Sequence, residues 1–206
     1  MRKTKEDAEQ TRREILDAAA RAFSNKGFAK SSLEEIAREA KVTRGAIYWH
    51  FKNKAEIFDA LHEQLYLPLA ERVQLDLKNN NAEPLDQLRD FCINMMLSLQ
   101  DDKREKQILM LFLMKQNYDG ELAEYKDIHY QRKIETLKLF ERYFEKARDR
   151  GKLQGNGDVE LLAKSVNYFI RGIVSEFVEY PEKFNLQQIA PKLIAQFFDN
   201  LKAGQG

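Results

Sequence analysis

Ser31-Ser32-Leu33-Glu34-Glu35-Ile36-Ala37-Arg38-Glu39-Ala40-Lys41-Val42-Thr43-Arg44-Gly45-Ala46-Ile47-Tyr48-Trp49-His50-Phe51-Lys52-Asn53-Lys54 reads as two short helices, a tight turn and the start of a third helix. Ser31, with Glu34 three residues on, fits a capping box, in which hydroxyl and carboxylate each satisfy a backbone donor at a helix start. Leu33, Ile36, Ala37 and Ala40 recur at three- and four-residue spacing and give one apolar face. Lys41 and Val42 make the turn, and Thr43 can cap the next helix through its side-chain oxygen. That helix turns Ile47 and Phe51 inward and carries Thr43, Arg44, Gly45, Ala46, Tyr48, Trp49 and His50 on its other side. Asn53 can cap a further helix that opens at Lys54.

Two short helices joined by a tight turn suit a helix-turn-helix, whose second helix enters a DNA major groove. Arg44 offers a fork of donors for a guanine edge, while Tyr48, His50 and Lys54 can reach phosphate oxygens. Gly45 and Ala46 keep the helix slim enough to approach the bases. The expected DNA-binding set is Ser31, Ser32, Thr43, Arg44, Gly45, Ala46, Tyr48, Trp49, His50 and Lys54. Spacing alone leaves open an ordinary helical hairpin whose aromatics serve packing.

The order of residues decides between them. Val42 to Lys54 closely resembles the signature of the TetR family. Its Tyr48-Trp49-His50-Phe51 core and the opening Met1-Arg2-Lys3-Thr4-Lys5 resemble the AcrR-type branch, which represses multidrug efflux pumps. The close match covers residues 1 to about 60; beyond it the likeness is one of length and helix layout. Lys41 departs from the family pattern, which often has Gly there, and strain follows if that turn needs a left-handed residue. The resemblance implies an all-α chain of about nine helices, with a helix-turn-helix DNA-binding domain at 1–53 and an effector-binding and dimerisation domain at 54–206. It also implies a homodimeric repressor, released from a palindromic operator by a small hydrophobic or amphipathic ligand, with no cofactor. A TetR-type regulator of a metabolic or stress gene is the alternative.

Composition agrees. The 206 residues are 43% hydrophobic with few Gly or Pro, enough for a real core in a mostly helical chain. Residues 1–54 hold 13 Lys/Arg against 8 Asp/Glu, and the remainder 21 against 25, so the basic end coincides with the proposed DNA reader. The single cysteine, Cys92, excludes an internal disulfide and fits a reducing cytosol as a buried free thiol. The charged opening does not read as a signal peptide, and Ile108 to Met114, the longest apolar run, is too short to span a bilayer. A cytoplasmic protein away from membranes is expected.

Along the chain, residues 1–9 read as a frayed tail, with Arg2, Lys3 and Lys5 near DNA as the less favoured role. A first helix with Ile15, Leu16, Ala19, Ala22 and Phe23 ends at Gly27. A fourth runs from Lys54 to about Lys78 with Pro68 inside it, and a loop at Asn79-Asn80-Asn81 follows. Pro84 opens a fifth, Asp101-Asp102 breaks it, and a sixth holds Ile108 to Met114. A seventh is expected over about Glu121 to Arg150 and an eighth over Asp158 to Tyr180. The ninth begins at Pro191 or follows a kink at Asn185.

The last two helices are apolar over more surface than one-sided packing demands. Phe169, Ile173, Phe177, Leu193, Phe197 and Leu201 are therefore candidates for a four-helix dimer interface, which the resemblance also implies. Helical spacing picks out faces at Leu65, Tyr66 and Leu69; Leu88, Phe91, Cys92 and Met95; Leu109, Phe112 and Leu113; Thr136 and Phe140; and Asn167, Ile170, Arg171 and Val174. Such faces are ordinarily core; the resemblance makes them candidate walls of an effector cavity. His50, His62 and His129 show no metal-ligand spacing, and no phosphate loop or nucleophile elbow is present. A helical enzyme and a protein-binding adaptor remain as other classes; the basic N-terminal end opposes the adaptor.

Overall fold

The computed structural model describes residues 5–79, 82–113, 118–155 and 157–202. Among them are α1 (Lys5–Lys26), α2 (Leu33–Glu39), α3 (Arg44–His50), α4 (Lys54–Lys78), α5 (Pro84–Asp101), α6 (Lys103–Leu113), α7 (Tyr125–Asp149), α8 (Val159–Glu179) and α9 (Leu186–Asp199). A single 3-10 turn, Gly120–Leu122, precedes α7. Arg2, Lys3, Asn80, Asn81, Met114 and the side chain of Leu113 lie outside the described residues.

The chain divides into two compact units, Met1–Tyr66 with Arg104–Asp127, and Leu67–Lys103 with Ile128–Gly206. The unit that holds the helix-turn-helix is thus larger than residues 1–53. Its core joins Ile15, Leu16 and Phe23 of α1, Ile36 of α2, Ile47 of α3 and Phe58 and Leu61 of α4 to Ile108 and Leu111 of α6 and to Leu122. Arg104 fixes α6 in place, its Nε 2.5 Å from Asp17 Oδ1 and its Nη2 donating to Gln64 Oε1 at 2.7 Å. A three-helix reader alone buries too little apolar surface to be stable, so the elements that complete its core come from far along the chain.

In the second unit α5 and α9 lie side by side. Tyr143 is fully buried, and its hydroxyl donates to Asp76 Oδ2 at 2.6 Å. Burial first, and that hydrogen bond next, push the phenol well above its ordinary pKa. Lys146 donates to the Leu77 carbonyl at 2.7 Å, supplying one of the partners that the end of α4 lacks within itself. Cys92 is wholly buried and burial pushes its thiol up to about 12, so it packs as a small apolar group.

Several boundaries differ from those read in the sequence. Among the described residues the chain is already helical from Lys5, and within that first stretch Thr11 is buried with its hydroxyl donating to the Asp7 carbonyl at 2.8 Å. Ser32, not Ser31, caps α2, accepting from the Glu35 N–H at 3.2 Å. Residues 120–122 form a separate turn, and α7 starts only at Tyr125. Asn185 caps α9 by accepting from Gln188 N–H, so the helix begins at Leu186 with Pro191 inside it. Pro68 likewise lies within a continuous α4, one residue past the boundary between the units.

The turn between α2 and α3 confirms the expectation for Lys41. Its N–H donates to the Arg38 carbonyl and that of Val42 to the Ala37 carbonyl, the paired bonds of a Schellman ending. That motif needs a left-handed residue, and Lys41 has φ 55°. Lys41→Gly is expected to raise the unfolding free energy by about 0.5–1 kcal/mol, relief of strain outweighing the extra freedom of the unfolded chain. A urea midpoint that stays put or falls would show that the turn holds Lys41 without strain.

Candidate nucleic-acid interface

Helix α3 is built to stand proud of its unit. Thr43 caps it, the side-chain oxygen accepting from the Ala46 N–H at 3.1 Å. Ile47 is completely buried and Phe51 nearly so, which anchors one side. The guanidinium of Arg12 lies 5.1 Å from the Phe51 ring centroid and closes that side from α1. The opposite side is open: Thr43, Arg44, Gly45 and Tyr48 are exposed, and Trp49 is 72% exposed. Tyr48 and Trp49 together leave aromatic surface beside Arg44 that a partner can cover. His50 is half-buried, with its ring edge-on to Trp49 at 4.5 Å.

Gly45 meets no obstacle within the protein: an added Cβ would lie 3.8 Å from Thr43 Oγ1, ordinary contact. Its smallness therefore matters only towards whatever α3 approaches. Arg44 Nη2 donates to the Tyr48 hydroxyl at 3.0 Å, its guanidinium lies 5.4 Å from that ring's centroid, and Nη1 is 2.7 Å from Glu34 Oε1. The Tyr48 hydrogen bond and then the Glu34 charge raise the Arg44 pKa further, so it is cationic at any relevant pH.

Two expected DNA contacts are turned inward. Ser31 is buried, and its hydroxyl lies 2.8 Å from the Gly27 carbonyl and 3.2 Å from that of Ala22, so it closes the turn after α1. Ser32 remains exposed at the start of α2. Lys54 keeps only 11% of its side chain exposed. Its ammonium donates to the Ser31 carbonyl at 3.1 Å, sits 4.3 Å from the Phe28 ring centroid and lies 3.8 Å from Glu121. Lys54 thus ties the loop before α2 to the turn before α7. Sequence could not reveal this, because Ser31 and Glu121 are remote from it in the chain.

Within the candidate effector set, Leu65, Tyr66, Leu109 and Phe112 belong to the reader's own unit. Phe112 packs against Phe58 and His62, with ring centroids 4.8 and 5.0 Å away. The second unit buries Leu88, Phe91, Cys92, Thr136, Phe140, Ile170 and Val174 and leaves Leu69, Met95 and Asn167 half-buried. The Thr136 hydroxyl is occupied by the Arg132 carbonyl of its own helix at 3.2 Å. Arg171 is exposed, so it does not line an interior wall; one helical position away from the buried Ile170, it falls on the outer face of α8. Asn167 Oδ1 is buried and has no hydrogen-bond partner.

The interface candidates also divide. Ile173 and Phe177 are 5% and 2% exposed, taken up by the protomer's own core. Phe169 and Phe197 stack at 4.9 Å with an interplanar angle of 18° and are half-buried, as are Leu193 and Leu201.

A profile of bacterial regulatory proteins of the tetR family matches residues 15–61, and one of the MAATS-type transcriptional repressor C-terminal region matches residues 83–203. The second match alone covers more than half the chain. The chain belongs to the TetR family. The HTH-type transcriptional regulator AcrR of Shigella flexneri is 30% identical over 94% of this chain and 90% of its own. NalD, the secondary repressor of the MexAB-OprM multidrug efflux pump in Pseudomonas aeruginosa, superposes with a TM-score of 0.84 at 31% identity, over 95% of this chain and 98% of that one. SmeT, the Stenotrophomonas maltophilia repressor of the SmeDEF efflux pump, in complex with triclosan gives 0.81 at 27% identity, over 96% and 93%. As a TetR-family protein the chain is a transcriptional regulator with a helix-turn-helix reader, and the AcrR-type likeness read in Tyr48 to Phe51 extends over its full length. No described helix is long and apolar enough to cross a membrane.

Proposed function

We propose that the protein is a homodimeric repressor that holds a palindromic operator until a hydrophobic or amphipathic small molecule releases it, and that its operon encodes a multidrug efflux pump. The observation that carries the reading is α3, capped by Thr43 and bearing exposed Arg44, Tyr48 and Trp49, in a chain similar over its full length to the pump repressors NalD and SmeT. Thr43, Arg44, Gly45, Ala46, Tyr48, Trp49, His50 and Ser32 face the DNA in this reading. Phe169, Leu193, Phe197 and Leu201 face the second copy, since each keeps apolar surface that its own protomer leaves uncovered.

The effector site belongs to the second unit, with Leu69, Met95 and Asn167 as its half-buried members. Asn167 Oδ1, buried and without a hydrogen-bond partner, can accept from a bulky apolar ligand that carries a donor. The phenol of triclosan, the ligand of the SmeT complex, has that character. Helix α4, which contributes to both units, is the proposed carrier of the signal.

Selecting duplexes from a random library with the full-length protein is expected to yield a palindrome with half-sites about one DNA turn apart, roughly 34–36 Å. Recovery of no enriched sequence would overturn the reading. Induction is tested by titrating triclosan, then other antimicrobials and dyes, with and without saturating operator. A tenfold release requires about 1.4 kcal/mol of preference for the released state, so operator must weaken ligand binding by the same tenfold. Equal ligand affinity in both titrations would eliminate that compound as an inducer.

A further inference from the structure

We infer that Glu34 is an intramolecular competitor for Arg44, one that lowers the protein's hold on its operator by occupying the atoms with which Arg44 would read it. Three carboxylates punctuate α2, and they do not behave alike. Glu35 pairs with Lys26 and Glu39 pairs with Arg21, both cations of α1, so these two fasten α2 to its scaffold. Glu34 alone reaches across the turn to the reading helix. Its Oε1 is 2.7 Å from Arg44 Nη1, while Arg44 Nη2 donates to the Tyr48 hydroxyl at 3.0 Å.

Nη1 and Nη2 are the two ends of the fork that grips a guanine O6 and N7 side by side. In the free protein both ends are engaged. Operator binding must therefore exchange the Glu34 contact for the base contact and leave the Glu34 carboxylate close to a polyanion. The pair is well exposed, at 59% and 56% of the two side chains, so the exchange is modest in cost and fast. The operator's grip is lowered by the small amount that an exposed ion pair is worth.

The inference rests on Arg44 being a base-reading residue, as proposed above, and the test keeps the two apart. The probe is the palindromic duplex selected by the wild-type protein, with affinity measured by fluorescence anisotropy at several salt concentrations. Glu34→Gln is expected to tighten binding by about two- to fivefold for each recognition helix engaged. Glu39→Gln removes the same charge from the same helix but frees Arg21 instead, and is expected to fall short of Glu34→Gln by at least about twofold. In an Arg44→Ala background the gap between the two glutamine variants should narrow, because the competitor has lost its target and only its repulsion from the DNA remains. The advantage of Glu34→Gln should also shrink as salt rises, since an exposed ion pair is screened.

Weaker binding by Glu34→Gln would make the carboxylate a support for Arg44 rather than a competitor and overturn the inference. Tightening no greater than that of Glu39→Gln would also overturn it, by reducing Glu34 to one more negative charge. If instead Arg44→Ala leaves both affinity and base preference unchanged, it is the reading role of Arg44 that fails.

Discussion

Phe197→Asp is expected to convert the protein to a monomer and to weaken operator binding by about 10²- to 10⁴-fold, the advantage that two linked half-site contacts have over one. Phe197 stacks on Phe169 at 4.9 Å, and both rings are only half-buried in their own protomer. A carboxylate there stays solvated in an isolated subunit but must be desolvated, unpaired, in a four-helix interface. Sedimentation and anisotropy on one preparation would check it. A variant that remains dimeric, with operator affinity within a few-fold of wild type, would place the interface elsewhere. The adjacent Phe198 separates folding from assembly, since it is 1% exposed and fills the protomer's own core. Phe198→Ala is expected to cost about 3–5 kcal/mol of stability, with its effect on DNA following from unfolding.

Arg44→Ala is expected to weaken binding to the selected operator by about ten- to a hundredfold and to erase preference at one base pair of each half-site. The motive is its position as the first residue of α3, exposed and presenting a planar fork. Lys54→Ala should behave differently. Its ammonium is folded back onto the Ser31 carbonyl, Phe28 and Glu121, so the loss is about 1–3 kcal/mol of stability in the reader's unit. The salt dependence of operator binding should then keep its wild-type slope, whereas a residue that neutralises a phosphate flattens it by about one unit. Thermal unfolding with a salt series distinguishes the two roles. A flattened slope without lost stability would return Lys54 to the DNA backbone. An Arg44→Ala protein with wild-type base preference would remove Arg44 from the reading set.

The sequence by itself determined the reader. Its helices are short, so capping side chains, a left-handed turn residue and a few apolar positions specify them locally, and all of these lie within residues 31 to 54. Periodicity likewise placed α8, capped by Asp158. Only the tertiary structure decided what completes each core and which way each versatile side chain turns. Ile108, Leu111 and Leu122 join the reader's unit although they lie some fifty residues or more beyond α3, and no local pattern encodes that pairing. Lys54 and Ser31 carry groups that serve equally at a phosphate or against a backbone carbonyl, and burial chose the carbonyl. Ile173 and Phe197 are both apolar residues of wide apolar helices, so hydrophobicity could not tell the core of one protomer from a face left open. The apolar stripe of a helix states how much surface must be covered; the packing of its neighbours determines which part they cover.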